Sequence, residues 1–102
     1  MGWILFYGSD LRDRDRLERA AAGLRMEVRT YSPGSWDPVE PPTLVVVDLD
    51  RMGVPERLPE NVRVVGYFSH VNEETEALAV AAEIEAIPRG KFWSNLPVVL
   101  GG

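Results

Sequence analysis

The sequence predicts an α/β fold built on a parallel sheet, and three observations carry that reading. Thr43-Leu44-Val45-Val46-Val47-Asp48 is a continuous apolar run with a carboxylate at its tip, the pattern of a strand buried on both faces. Trp3 to Tyr7 is a second such run, and it stops at Gly8-Ser9-Asp10, residues suited to a turn and a helix start. Apolar strand-like blocks then alternate with helix-like or loop-like ones along the chain, which favours crossover connections over hairpins.

Each element has a local reason. Ser9 or Asp10 is expected to cap a first helix, in which Leu11, Leu17, Ala20, Ala21 and Leu24 fall near one stripe. Asp10 with Arg14 and Asp15 with Arg19 are acid-first pairs four apart, placed to support its outer surface. Met26, Val28 and Thr30 alternate with Glu27 and Arg29, as in a strand with one wet face at a sheet edge. Residues 31 to 42 hold four prolines and are predicted to form at most one helical turn. Between Pro55 and Pro59 there is room for only a turn or so of helix. Val62 to Phe68 is the next buried strand, and Asn72 with Glu73 and Glu74 opens a helix running to about Ala82. Glu85-Ala86-Ile87-Pro88 is a short last strand, followed by Arg89-Gly90-Lys91 and a brief amphipathic segment from Phe92 to Leu100, interrupted by Pro97.

Right-handed crossovers then favour a five-stranded parallel sheet in the order 2-1-3-4-5, the flavodoxin-like arrangement, with reduced second and third crossover helices. The first and last helices are expected on one face. The shrunken middle crossovers and the Asn72 helix are expected on the other.

Composition limits the functions available. At 102 residues the chain is expected to be one small domain, and a formal charge of -5 offers no field for nucleic acid or an anionic membrane. Without cysteine it has no thiolate metal site and no cysteine nucleophile, and a cytoplasmic setting is the default expectation. No apolar run approaches the roughly 20 residues that cross a bilayer, so a soluble protein is expected. Ten of the eleven basic residues are Arg and Gln is absent, a pattern that a thermophile's economy of labile residues or a GC-rich genome would produce.

The order of elements and the Thr43 to Asp48 block resemble a response-regulator receiver domain along nearly the whole chain. In that family an acidic pair after the first strand and an Asp after the third hold magnesium, and that Asp accepts phosphate from a sensor kinase. A hydroxyl residue after the fourth strand and a lysine after the fifth contact the phosphoryl group. The resemblance places Asp48 at the acceptor position and Ser69, in Gly66-Tyr67-Phe68-Ser69-His70, at the hydroxyl position. Gly8-Ser9 stand where the two carboxylates belong, with Asp10 one place later, and Arg89 stands at or beside the lysine position, with Lys91 two residues on. Magnesium requires near-octahedral oxygen ligands, so this donor set predicts a pseudo-receiver without a cofactor. Asp10 and Asp48 are its only weak metal candidates.

A switch-point pocket is accordingly expected at Gly8, Ser9, Asp10, Asp48, Ser69, Arg89 and Lys91. Three uses of it compete. In the first, the chain is a stand-alone regulatory module that binds a protein partner or itself through Glu73, Glu74, Glu76 and Trp93, on a stretch from 71 to 88 that contains no Lys or Arg. In the second, Asp48 is a working phospho-acceptor with magnesium, Ser69 reports the phosphoryl group, and Arg89 or Lys91 replaces the lysine. In the third, Gly8, Ser9, Asp48 and Arg89 bind a small anion or metabolite. For each residue a structural role competes: Asp48 capping a loop or pairing with Arg89, Asp50 a solvated loop charge, Asp10 a helix cap, Trp36 and Trp93 core. Ser69, His70 and Asp48 have the residue types of a hydrolase triad, but neighbours at a strand end point to opposite faces, and there is no Gly-x-Ser-x-Gly elbow. No enzymatic activity is therefore expected.

Overall fold

A computed structural model of the chain describes residues 2–32, 40–69 and 73–101. Five parallel strands, β1 (Trp3–Tyr7), β2 (Glu27–Thr30), β3 (Leu44–Asp48), β4 (Arg63–Phe68) and β5 (Glu85–Pro88), form one sheet in the order β2-β1-β3-β4-β5. That is the doubly wound, flavodoxin-like order expected from the sequence. The two most apolar blocks, β1 and β3, are buried at every position and lie side by side in the middle of the sheet, where both faces are covered.

Side chains alternate strictly between the two faces. Ile4, Phe6, Val46, Val65 and Tyr67 join Leu17 and Ala21 of α1 (Leu11–Gly23), Phe92 of α4 (Arg89–Ser94), and Leu96 and Val99 of α5 (Leu96–Val99). Trp3, Leu5, Tyr7, Val45 and Val47 pack on the other face against Leu49 of α2 (Leu49–Met52) and Ala79 of α3 (Glu73–Ala81). Each fully buried side chain of this size contributes roughly 1.5–3 kcal/mol, so the two half-cores hold the sheet together. The first and last helices thus share a face, and the reduced middle crossover shares the other with α3, as the sequence implies.

Several local expectations are corrected. Asp10, not Ser9, caps α1, and only Leu17 and Ala21 of the proposed stripe are buried, with Ala20 half-buried; Leu11 is 80% exposed and Leu24 is also exposed. Arg19 pairs with Asp15 at 2.8 Å as expected, whereas Arg14 turns to Glu18 and leaves Asp10 to Arg51. The single turn of α2 precedes Pro55 instead of following it, because Asp48 caps it and Gly53, at φ 64°, ends it in a backbone conformation that glycine adopts without strain. The C-terminal segment is two short helices that meet at Asn95, and the first of them begins at Arg89, so Arg89-Gly90-Lys91 is helical and not a connector. The expectations for His70, Asn72, Trp36 and the proline-rich stretch around residues 33–39 lie outside the described residues.

Candidate functional site

The carboxyl ends of β1, β3, β4 and β5 gather the charged residues, as an open parallel sheet requires. Asp10 enters the helix start with an extended backbone, and its Oδ1 accepts the N–H groups of Arg12 at 2.8 Å and Asp13 at 3.1 Å. The Asp13 N–H is the main reason the Asp10 carboxyl sits below the usual range, with the Arg51 guanidinium, 3.3 Å from Oδ2, adding a smaller effect.

Asp48 closes β3 and caps α2, its Oδ1 accepting the Arg51 N–H at 3.3 Å. The parallel register sets Asp48 beside Tyr67. Its other oxygen, Oδ2, accepts no hydrogen bond from the described residues; Arg51 Nε stands 3.6 Å away, an ion-pair distance too long for a hydrogen bond. The residue is 1% exposed, and burial raises its pKa, helped by the nearby Asp13 and Asp50 charges and opposed by the Arg51 N–H and by Arg89.

Asp13 is the second buried carboxylate and is also 1% exposed. Tyr67 donates its O–H to Asp13 Oδ2 at 2.8 Å, and Arg89 donates a short bond to Oδ1 while its guanidinium lies 5.2 Å from the centre of the Tyr67 ring. Burial is the largest cause that lifts the Tyr67 phenol well above its ordinary value, followed by its bond to Asp13. The separate hydrogen bond that Arg89 itself donates to Asp13 raises the pKa of Arg89, which is thereby committed to an internal ion pair.

A cleft of about 610 Å³ opens here, and its walls include Asp10, Asp48, Asp50, Ser69, Glu76 and Arg89. Arg51 lines it between Asp10 and Asp48, while Leu49 and Phe68 supply apolar wall. Of the seven expected pocket residues, Asp10, Asp48, Ser69 and Arg89 meet at the cleft, whereas Lys91 stands exposed on α4, away from it. Gly8 and Ser9 do not line it either. A Cβ on Gly8 would come within 2.3 Å of the Phe6 ring, so this glycine serves close packing at the end of β1.

Two pairings differ from expectation. Arg89 binds Asp13 and not Asp48, because α4 begins beside α1 and Asp13 faces it from the first turn. Asp50 is not a free loop charge, since its Oδ2 accepts the Ser69 N–H at 2.6 Å and ties the end of β4 to α2. Trp93 is half-buried, packing edge-on against Phe92 at 4.8 Å and near Tyr67 at 5.3 Å, with its indole Nε1 buried and unbonded, so it belongs to the core margin. Glu73, Glu74 and Glu76 are exposed on α3.

Asp13, Tyr67 and Arg51 are the functional-site residues that the sequence reading missed. Asp13 was legible in one respect: it precedes Leu17 by four residues and Ala21 by eight, which puts a carboxylate on the buried stripe of α1. Among the described residues, no group of three or more His, Cys, Asp or Glu side chains converges to hold a metal ion. The donor set therefore does not fit magnesium, since Arg51 stands between Asp10 and Asp48 where a shared cation would lie. Among those residues no helix is long and apolar enough to cross a membrane. Comparison with protein-family models, with curated proteins and with solved structures gives no match.

Proposed function

We propose that this chain is a receiver-like regulatory module that acts by binding a protein partner and does not accept phosphate. The observation that carries the reading is the state of Asp48, covered to 1% exposure beneath Arg51, with no group of carboxylates among the described residues that converges to hold a cation. A phosphoryl donor brings at least two negative charges to the acceptor, and transfer needs a cation aimed at them. Here the incoming group would meet Asp10, Asp50 and Glu76, with Arg89 engaged by Asp13.

The face offered to a partner is α3. Only Ala79 on it is buried, while Leu78 and Val80 are 54% and 66% exposed beside Glu73, Glu74 and Glu76. Apolar contact gives such a surface its affinity, and its charge selects a basic segment. Incubation with acetyl phosphate and magnesium, read by intact mass, is expected to leave the chain unmodified; a phosphate adduct that disappears in Asp48→Asn would overturn the reading. Replacing Glu73, Glu74 and Glu76 together by Lys is expected to reduce partner recovery by tenfold or more, while the chain stays folded at about 25 °C with a melting temperature lowered by several degrees through the lost support of the α3 helix dipole.

A further inference from the structure

The cleft beside Asp48 is acidic even after its internal ion pairs are counted. Asp10, Asp48, Asp50 and Glu76 line it against Arg51 and Arg89, and the positive charge of Arg89 is already matched by buried Asp13. A small anion would therefore enter against the local field, and a cation with it. An independent feature points to the same sign. Asp48 Oδ2 is a buried acceptor without a hydrogen bond from the described residues, although Asp48 forms part of the cleft wall. Leaving such an oxygen unmet is costly, and a donor that reaches it recovers that cost.

The shape of the missing donor follows from what already approaches it. Arg51 spans Asp10 and Asp48, but its planar guanidinium divides between them and stops at 3.3 Å from one and 3.6 Å from the other. A compact ammonium carries three rotatable donors on a narrow head and can enter where a fork cannot. Among the described residues no ligand set converges for a bare divalent cation. Leu49 and Phe68 in the walls suit the methylene stem behind such a head, and Glu76 lies at the α3 side for charge further out.

We propose that this cleft binds an organic cation through a primary ammonium group, with Asp48 Oδ2 accepting its hydrogen bond and Arg51 as the internal cation it displaces. Arg51 is more than half exposed, so its two long ion pairs and little packing hold it in place. A free diamine and a lysine side chain of another protein present the same head. The proposal does not depend on the partner-binding reading, since the first source needs no protein at all.

Calorimetric titration of the full chain with putrescine, and separately with Nα-acetyl-lysine N-methylamide, tests it at ionic strength held constant with sodium chloride. Saturable single-site binding of at least one is expected. Putrescine alone marks a free polyamine as the source, and binding of the lysine mimic marks a protein side chain. Arg51→Ala is expected to tighten binding severalfold by removing the competitor, Glu76→Gln to weaken it about threefold, and Asp48→Asn to weaken it tenfold or more. Should Asp48→Asn misfold, the opposite signs at positions 51 and 76, both exposed, still decide. The proposal is overturned if neither amine binds, if Arg51→Ala and Glu76→Gln leave the affinity unchanged, or if inorganic phosphate saturates the cleft instead. Loss of partner recovery on altering α3 without any amine binding would retire this site and leave the module reading intact.

Discussion

Two carboxylates of this molecule are equally buried and live in opposite circumstances. Asp13, in the first turn of α1, has a phenol on one oxygen and a guanidinium on the other. Asp48, at the tip of β3, has one long bond to a backbone N–H and an oxygen with none. Equal burial therefore does not imply equal cost. A paired and bonded charge is a structural joint, whereas a half-satisfied one is a standing penalty that a fold keeps at positions where something else is gained. The contrast separates the α1, β4 and α4 joint, which holds the sheet's far half to its first helix, from the mouth of the cleft, where chemistry with a second molecule has room.

The sharpest way to break this comparison is to strand the partners of Asp13. Asp13→Ala leaves the Tyr67 hydroxyl without its acceptor in the interior and the Arg89 guanidinium, about a third exposed at the cleft wall, without its partner, and a loss of about 2–3 kcal/mol is expected in urea unfolding. Arg89→Met should cost about as much by leaving the carboxylate bare. The double variant should cost clearly less than the two losses added, because neither charge then remains to be compensated. Simple additivity would mean that the two residues do not form one unit. A smaller effect sharpens the same point: Tyr67→Phe keeps the ring against Phe92 and Trp93 and removes only the bond to Asp13, for an expected loss of about 1.5 kcal/mol.

What the sequence made legible follows the same division. Strands buried on both faces must be continuous apolar runs, so Trp3–Tyr7 and Leu44–Asp48 declare themselves, and right-handed crossovers then leave little choice of strand order. The site was partly legible for a related reason, since Asp48, Ser69 and Arg89 end or follow strands whose positions were clear. The pairings were not. Arg12, Arg14 and Arg16 alternate with Asp13 and Asp15, and although Asp13 falls in line with Leu17 and Ala21, nothing local says what it pairs with; its partners are Tyr67 and Arg89, 54 and 76 residues away. Asp50 escaped for the same reason, because its acceptor role is created by the end of β4 arriving beside α2.

The smallest expected effect is the one that tests the standing penalty at Asp48, and its sign is opposite to the others. Burial raises the folded-state pKa of Asp48, so the carboxyl is easier to protonate in the folded chain than in the unfolded one. The stability this contributes is whole below the unfolded value and is lost as pH climbs through the folded value, so at neutral pH the ionised group works against folding. Asp48→Asn keeps a capping oxygen for the Arg51 N–H and carries no charge, and at pH 7 it is expected to raise stability by about 1 kcal/mol, a few degrees in Tm for a chain of this size. That gain should shrink as the pH falls to the range where Asp48 takes up its proton, because the wild-type residue is then neutral as well. Asp13→Asn, measured in the same buffers, should instead lower stability at pH 7, since it replaces the charged partner of Arg89. A gain at Asp48 that persists undiminished into acid would mean that the unbonded oxygen, and not the charge, is the source of the penalty.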